Sequence, residues 1–313
     1  MTGKTTSAHN IEPGFVHEAL MYRNDSELRD AVAEFLAAAR AAHEPVLMAL
    51  PSATWERLRE SLGDTEASFA DMAEVGRNPS CLLPMIEGWM NAHGGRARVV
   101  SEAIWPGRSY PETAECLRHE ALLNQALADA DAAILSPYDA AHLDSETLAG
   151  AEMTHPTVVE GGRRRVSASY DGSAAPARLG DVWPLESPSE PVFEHRLDGS
   201  LHDLRHEVAE DPLVGELSAD RRSDLVFAVN EAATNAIRHG DGGCTTRIWH
   251  DGRSVVTEVS FETSLDDPLA GRRRPDADAI DGRGLWLINQ VCDLVELRSS
   301  PSGTTLRMHV RNH

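Results

Sequence analysis

The chain has 313 residues, with 29 basic against 50 acidic side chains, a formal net charge of −21 and 41% hydrophobic residues. That length suits two domains of ordinary size, each burying its own core. The charge speaks against the basic face that nucleic acid or an anionic membrane would need.

Cys81, Cys116, Cys244 and Cys292 are scattered and form no C-x-x-C pair, which fits reduced thiols rather than a disulfide frame or a zinc knuckle. The opening M-T-G-K-T-T-S-A-H-N lacks the apolar run of a signal peptide. No stretch approaches the ~18–20 apolar residues of a membrane span. A cytoplasmic protein, contacting neither membrane nor nucleic acid directly, is the expectation.

Ser26–Ala42 reads as an amphipathic helix with Leu28, Val32, Phe35, Leu36 and Ala39 on one face and Ser26 as its N-cap. P-V-L-M-A-L (residues 45–50) reads as a short buried strand and Thr54–Leu62 as a helix. Val99–Val100 opens a further strand, Thr113–Ala130 is a long helix, and Ala132–Leu135 is a strand ending in S-P-Y-D. Strands alternating with helices predict an α/β domain, a parallel sheet with helices on both faces, over residues 12–156. Residues 157–190, rich in Gly, Ser and Pro, read as a linker holding at most a short hairpin near Val158–Val166, with Arg163–Arg165 as a solvated turn.

Residues 191–313 read as strand (V-F-E-H-R-L), helix (Ser200–Glu210), helix (Ala219–His239), then strands Cys244–His250 and Ser254–Phe261. A basic loop, G-R-R-R-P, precedes a helix starting near Gly284, and strands Leu294–Ser299 and Thr304–Val310 follow. The helix carries F-A-V-N-E-A-A-T-N-A-I-R-H-G, which places Glu231, Asn235 and His239 four apart on one face. Some forty residues later D-G-R-G-L puts Gly282 and Gly284 around Arg283 at a helix start, where bare N–H groups can meet phosphate.

Together these stretches resemble the N-box and second glycine box of the GHKL-type ATPase fold, the family of histidine kinases and serine-kinase anti-sigma factors. The resemblance implies a Bergerat-type two-layer α/β sandwich with a helical layer on an antiparallel-rich mixed sheet. It implies Asn235 as the Mg²⁺ ligand, its amide oxygen being a hard donor, and Glu231 as the base in a kinase. Gly282, Arg283, Gly284, Leu285 and, in the last box G-T-T-L-R, Thr305 would line the ATP site. Arg205, in L-R-x-x-V, falls where anti-sigma kinases carry an arginine used in partner contact.

The first glycine box departs from the family. Where D-x-G-x-G is usual, Phe261 stands at the Asp position and Thr263 at the first Gly. A phenyl ring cannot accept the adenine amino hydrogen bond, and losing such a partner costs several kcal/mol. Glu262 points to the opposite face of the strand and Asp266 lies beyond it in a D-D-P turn. The H-E steps at His119 and His206 lack the context of a phosphoacceptor helix, which disfavours a two-component histidine kinase.

In the first half, G-F-V-H-E-A-L-M-Y-R, G-R-N-P, E-A-I-W-P-G-R-S, E-C-L-R-H-E-A-L-L-N and S-P-Y-D-A-A-H-L-D resemble the MEDS sensory domain, a module associated with sensing small organic compounds and related to RecA-like folds. The resemblance implies a RecA-like three-layer sheet. It also implies an unidentified small ligand, with His17, Trp105, Arg108, Glu115 and His119, together with Glu120, as pocket residues. After the strand P-V-L-M-A-L comes P-S-A-T-W-E-R-L, with no glycine or lysine to cradle phosphate. Glu115 and His119 stand four apart on a helix, a spacing a metal pair can use, though a helix-stabilising pair is the favoured reading.

The resemblances imply a transcription regulator of the anti-sigma type, with a sigma factor or an anti-anti-sigma protein as partner and a homodimer as its form. The missing adenine contact favours sequestration with impaired or absent ATP use. The alternative is a serine kinase using ATP and Mg²⁺ on an anti-anti-sigma protein.

Overall fold

The computed structural model describes residues 14–63, 65–190, 192–197, 200–239, 243–275 and 282–312. These fall into two compact units. One comprises the described residues up to Gly76 with Met85–Ser109 and Cys116–Leu179; the other comprises Arg77–Pro84, Tyr110–Glu115 and those from Gly180 onward.

In chain order the first elements are β1 (Phe15–Tyr22), α1 (Asp25–Ala42), β2 (Val46–Leu50), α2 (Ser52–Leu62), β3 (Ser68–Asp71) and α3 (Met72–Val75). Then come α4 (Leu82–His93), β4 (Ala97–Ser101), α5 (Tyr110–Ala126), β5 (Ala132–Asp139), α6 (Ser145–Thr154), β6 (Thr157–Glu160), β7 (Arg163–Val166) and α7 (Ala175–Val182). The strands form one sheet in the order β3-β2-β4-β5-β1-β6-β7. Every neighbouring pair is parallel except β6 with β7.

Parallel neighbours need crossovers, and crossovers are right-handed. The steps through α1 and α2 run one way across the sheet; those through α5 and α6 run the other way, so the two sets cover opposite faces. Leu28, Val32, Phe35 and Leu36 of α1 and Leu58 of α2 pack on Leu20, Tyr22, Met48, Leu50, Val100 and Leu135. Each such side chain, fully buried, contributes about 1.5–3 kcal/mol. By strand alternation His17 and Ala19 point to the other face, toward α5 and α6.

The apolar face of α1 is the one its spacing predicts, but its N-cap is Asn24, whose side chain accepts from Glu27 N. β5 runs on through S-P-Y-D because Pro137 lies beyond the β4 pairing, which stops at Leu135, while β1 continues opposite it to Asp139. A proline there costs no ladder bond on that side. Residues 157–190 are not a plain linker: Val158 and Val159 are buried, β6 pairs with β1, and Arg164 of β7 reaches Glu18 (2.9 Å) and Glu34 (3.2 Å). Where a nucleotide-binding fold would cradle phosphate, Asp71 takes the start of α2, accepting from Ser52 Oγ (2.5 Å) and Ser52 N (3.3 Å).

The second unit contains β8 (Phe193–Arg196), α8 (Leu201–Glu210), α9 (Pro212–Gly215), α10 (Ala219–His239), β9 (Thr245–His250) and β10 (Val255–Phe261). α11 (Arg283–Val291), β11 (Leu294–Ser300) and β12 (Gly303–Val310) follow. Its sheet, β11-β12-β10-β9-β8, is antiparallel throughout rather than mixed. Ser200 and Asp203 close a capping box on α8. Ala228, Ala232, Ala233 and Ala236 keep the buried face of α10 small, so it lies close on Val255, Val259, Leu306 and Met308.

Candidate functional site

α10 and α11 meet where a glycine leaves room. A Cβ at Gly284 would stand 3.1 Å from Asn235 Nδ2 and 3.1 Å from Glu231 Oε2. Glu231 and Asn235, one turn apart, therefore converge on the first turn of α11. Gly282 precedes that turn with φ +85°, a left-handed conformation that glycine adopts without strain. It brings no side chain of its own to cap the opening N–H groups of α11. Arg283 is exposed, and Asp281 of the same motif lies outside the described residues.

Beside this junction opens a cavity of about 220 Å³, lined among others by Asn235, Phe261, Gly282, Gly284, Leu285 and Thr304. Phe261 is buried there at the end of β10. Its register partner Thr304 shares the cavity face, whereas Thr305 pairs with Ser260 on the opposite face, its hydroxyl 3.3 Å from Ser260 Oγ. The period of two thus makes Thr304, not Thr305, the cavity residue of the last box. Glu262 and Asp266 are exposed and do not line the cavity.

Among the described lining residues none is acidic. The junction offers Mg²⁺ an amide oxygen from Asn235 and offers phosphate a helix start. The other end offers an adenine amino group no carboxylate and presents a phenyl ring instead. These residues do not fit a nucleotide held in the usual way for this fold. Arg205 is exposed on α8.

Of the five expected pocket residues, four belong to the first unit and Glu115 to the second. Trp105 and Arg108 form a stacked pair, the guanidinium carbon 3.8 Å from the ring centroid, with Arg108 Nη2 donating to Gly76 O (2.8 Å). His119 is buried on α5, which removes it as an accessible phosphoacceptor. Glu115 belongs to the second unit, where its carboxylate accepts from Arg272 Nη2 (2.6 Å) and from Arg298. The Glu115 carboxylate is thus met by one guanidinium on each oxygen.

His17 does enter a polar cluster. Its Nε2 lies 3.0 Å from Glu120 Oε2, and His155 Nε2 lies 3.6 Å from the same oxygen. Ser136 Oγ donates to that oxygen at 3.2 Å. The two imidazole centroids are 3.9 Å apart, and Tyr138 stands edge-on to His155 at 5.6 Å. His17, Glu120 and His155 are all buried, and their ligand atoms lie within 4.8 Å of one another. Burial pushes His155 down, the neighbouring His17 pushes it further, and the net value is about 4.

Glu120 and Asn124, which also contacts His17, stood within the expected motif, but His155 carried no signal of its own. The useful hint was the spacing of Glu120 and Asn124, one helical turn apart in R-H-E-A-L-L-N.

Two family models match the chain. Residues 16–156 match MEDS, the methanogen/methylotroph DcmR sensory domain, and residues 193–310 match the histidine kinase-like ATPase domain. No curated protein matches it. Among the described residues no helix is long and apolar enough to cross a membrane.

Proposed function

Because the chain joins a MEDS sensory domain to a histidine kinase-like ATPase domain, we propose that it is a cytoplasmic transcription regulator of the anti-sigma type. In this reading the ATPase-like domain binds a sigma factor or an anti-anti-sigma protein, with Arg205 in the contact. A small organic ligand of the first domain biases that contact by binding one conformational state better than the other. The acidic chain suits a partner with a basic surface.

The observation that carries the sequestration form is Phe261, buried in the cavity where the fold needs a carboxylate. Regulation then proceeds by occupancy of the partner, without phosphoryl transfer. A serine kinase is the second reading, favoured by the approach of Glu231 and Asn235 to Gly284, which leaves the phosphate end of the site assembled.

Calorimetric titration with Mg-ATP, on the unmodified chain and on Phe261→Asp, separates the two. Sequestration predicts no heat from the former and binding by the latter. Micromolar binding by the unmodified chain, followed by phosphate transfer to a co-purified partner, would establish the kinase. Failure to retain any sigma factor or antagonist in a pull-down would overturn both.

A further inference from the structure

The buried cluster on the α5 side of β1 holds three Lewis bases with no proton assigned between them. Asn124 Nδ2 donates to the carbonyls of Thr154 (2.8 Å), Glu120 (3.2 Å) and Ala121 (3.4 Å). The amide is thereby oriented, and its Oδ1 must accept from His17 Nδ1 at 3.0 Å. Likewise Ala151 O, which can only accept, lies 2.8 Å from His155 Nδ1. Both imidazoles therefore carry their proton on Nδ1 and turn an Nε2 lone pair toward Glu120.

Two imidazole lone pairs facing one carboxylate repel unless something positive lies between them. A single proton can join only one nitrogen to the carboxylate. Glu120 Oε1 and His155 Nε2 are already buried without a hydrogen-bond partner among the described residues. Each such orphan is unfavourable in a dry interior.

We propose that His17, Glu120 and His155 bind one divalent transition-metal cation of the zinc or ferrous type through two Nε2 atoms and a carboxylate oxygen. Metal–ligand bonds of about 2.1 Å in tetrahedral geometry separate ligand atoms by about 3.4 Å. The observed separations from Glu120 Oε2, 3.0 Å to His17 and 3.6 Å to His155, straddle that value. Two histidines and one carboxylate form a donor set that suits zinc and ferrous iron.

The supporting shell is in place as well. Asn124 and Ala151 O hold the distal nitrogens, as second-shell acceptors do for metal-bound histidine. Ser136 donates to the carboxylate. The hydroxyl of Tyr138, on the same strand as Ser136, is likewise buried without a hydrogen-bond partner among the described residues. The site stands independently of any nucleotide chemistry in the second unit.

The test uses the full chain, stripped with a chelator and titrated with Co²⁺ as a visible probe, alongside elemental analysis of the protein as purified. The expected result is stoichiometric zinc or iron as purified, a lower melting temperature after stripping, and a saturable Co²⁺ absorption band. That band should disappear in Glu120→Gln and persist in His142→Gln, an exposed histidine elsewhere in the same unit. A folded, stripped unmodified chain that gives no band, and held no stoichiometric metal as purified, would overturn the proposal. So would a band that survives in Glu120→Gln.

Discussion

Replacing Gly284 by alanine tests whether the first turn of α11 is pressed against Glu231 and Asn235. The added methyl would stand 3.1 Å from Glu231 Oε2 and from Asn235 Nδ2, where ordinary contact begins near 3.4 Å. Overpacking costs about 1–3 kcal/mol. Both obstacles are ends of side chains that can rotate, so the low end, about 1 kcal/mol, applies here. Opposing it is alanine's advantage over glycine in a helix, about 0.5–1 kcal/mol. The two effects nearly cancel, and the single variant should melt within about 4 °C of the unmodified chain.

A double-mutant cycle separates them. With Glu231→Ala in the background the methyl meets one obstacle fewer, so Gly284→Ala should be more favourable there by about 0.5–1 kcal/mol, a coupling typical of residues in contact. The assay is equilibrium urea unfolding of the four proteins, followed by tryptophan fluorescence. A coupling indistinguishable from zero would refute the close approach of α11 to this face of α10. So would stabilisation of the unmodified background by the whole helix-propensity gain.

Two further predictions concern pH. Burial alone would lower His309, but hydrogen bonds with Asp251 (3.2 Å) and Glu296 (3.0 Å) outweigh it and raise the imidazole above its ordinary 6.5. A folded-state value above the unfolded one means a contribution complete below about pH 6.5 and lost as pH rises through the folded value. The stability difference between the unmodified chain and His309→Gln should therefore be larger at pH 6 than at pH 9; equal differences would count against the network. Glu102 loses stability in the same direction but for a different reason, burial itself raising its carboxyl from 4.5 to about 7 beside the Tyr22 hydroxyl. The folded state then keeps a proton that the unfolded state releases, so stability falls between roughly pH 4.5 and 7, by up to about 3 kcal/mol. Glu102→Gln should remove that slope in urea unfolding at pH 5 and 8, and an unchanged slope would show that another group causes it.

Local periodicity made much of the architecture legible. The apolar face of α1 and the convergence of Glu231 with Asn235 follow from 3.6 residues per turn, whatever the rest of the chain does. The alternating elements implied a parallel sheet, and the boundaries of the later strands moved by only a residue or so. Errors came where a residue's meaning depended on its neighbours in space. Pro137 reads as a strand end until the absence of β4 beside it is known. Residues 157–190 read as a linker that could hold a hairpin near Val158–Val166; that hairpin is present as β6 and β7, but nothing in its composition reveals that β6 pairs with β1.

The candidate sites divide in the same way. Glu231 and Asn235 share one helical face by spacing alone, while their approach to Gly284 of α11 came from the packing of two helices. The choice of Thr304 over Thr305 waited on strand register. His17, Glu120 and His155 come from a strand, a helix and a loop after α6, and no spacing links them. Glu115, one turn before His119, looked like its partner, yet its carboxylate is held by Arg272 and Arg298 from far along the chain. Sequence by itself determined what lies on one helical or strand face, because backbone geometry fixes that locally. Only tertiary structure decided which carboxylate meets which imidazole or guanidinium, because that depends on chain crossings whose outcome is set by packing of the whole core.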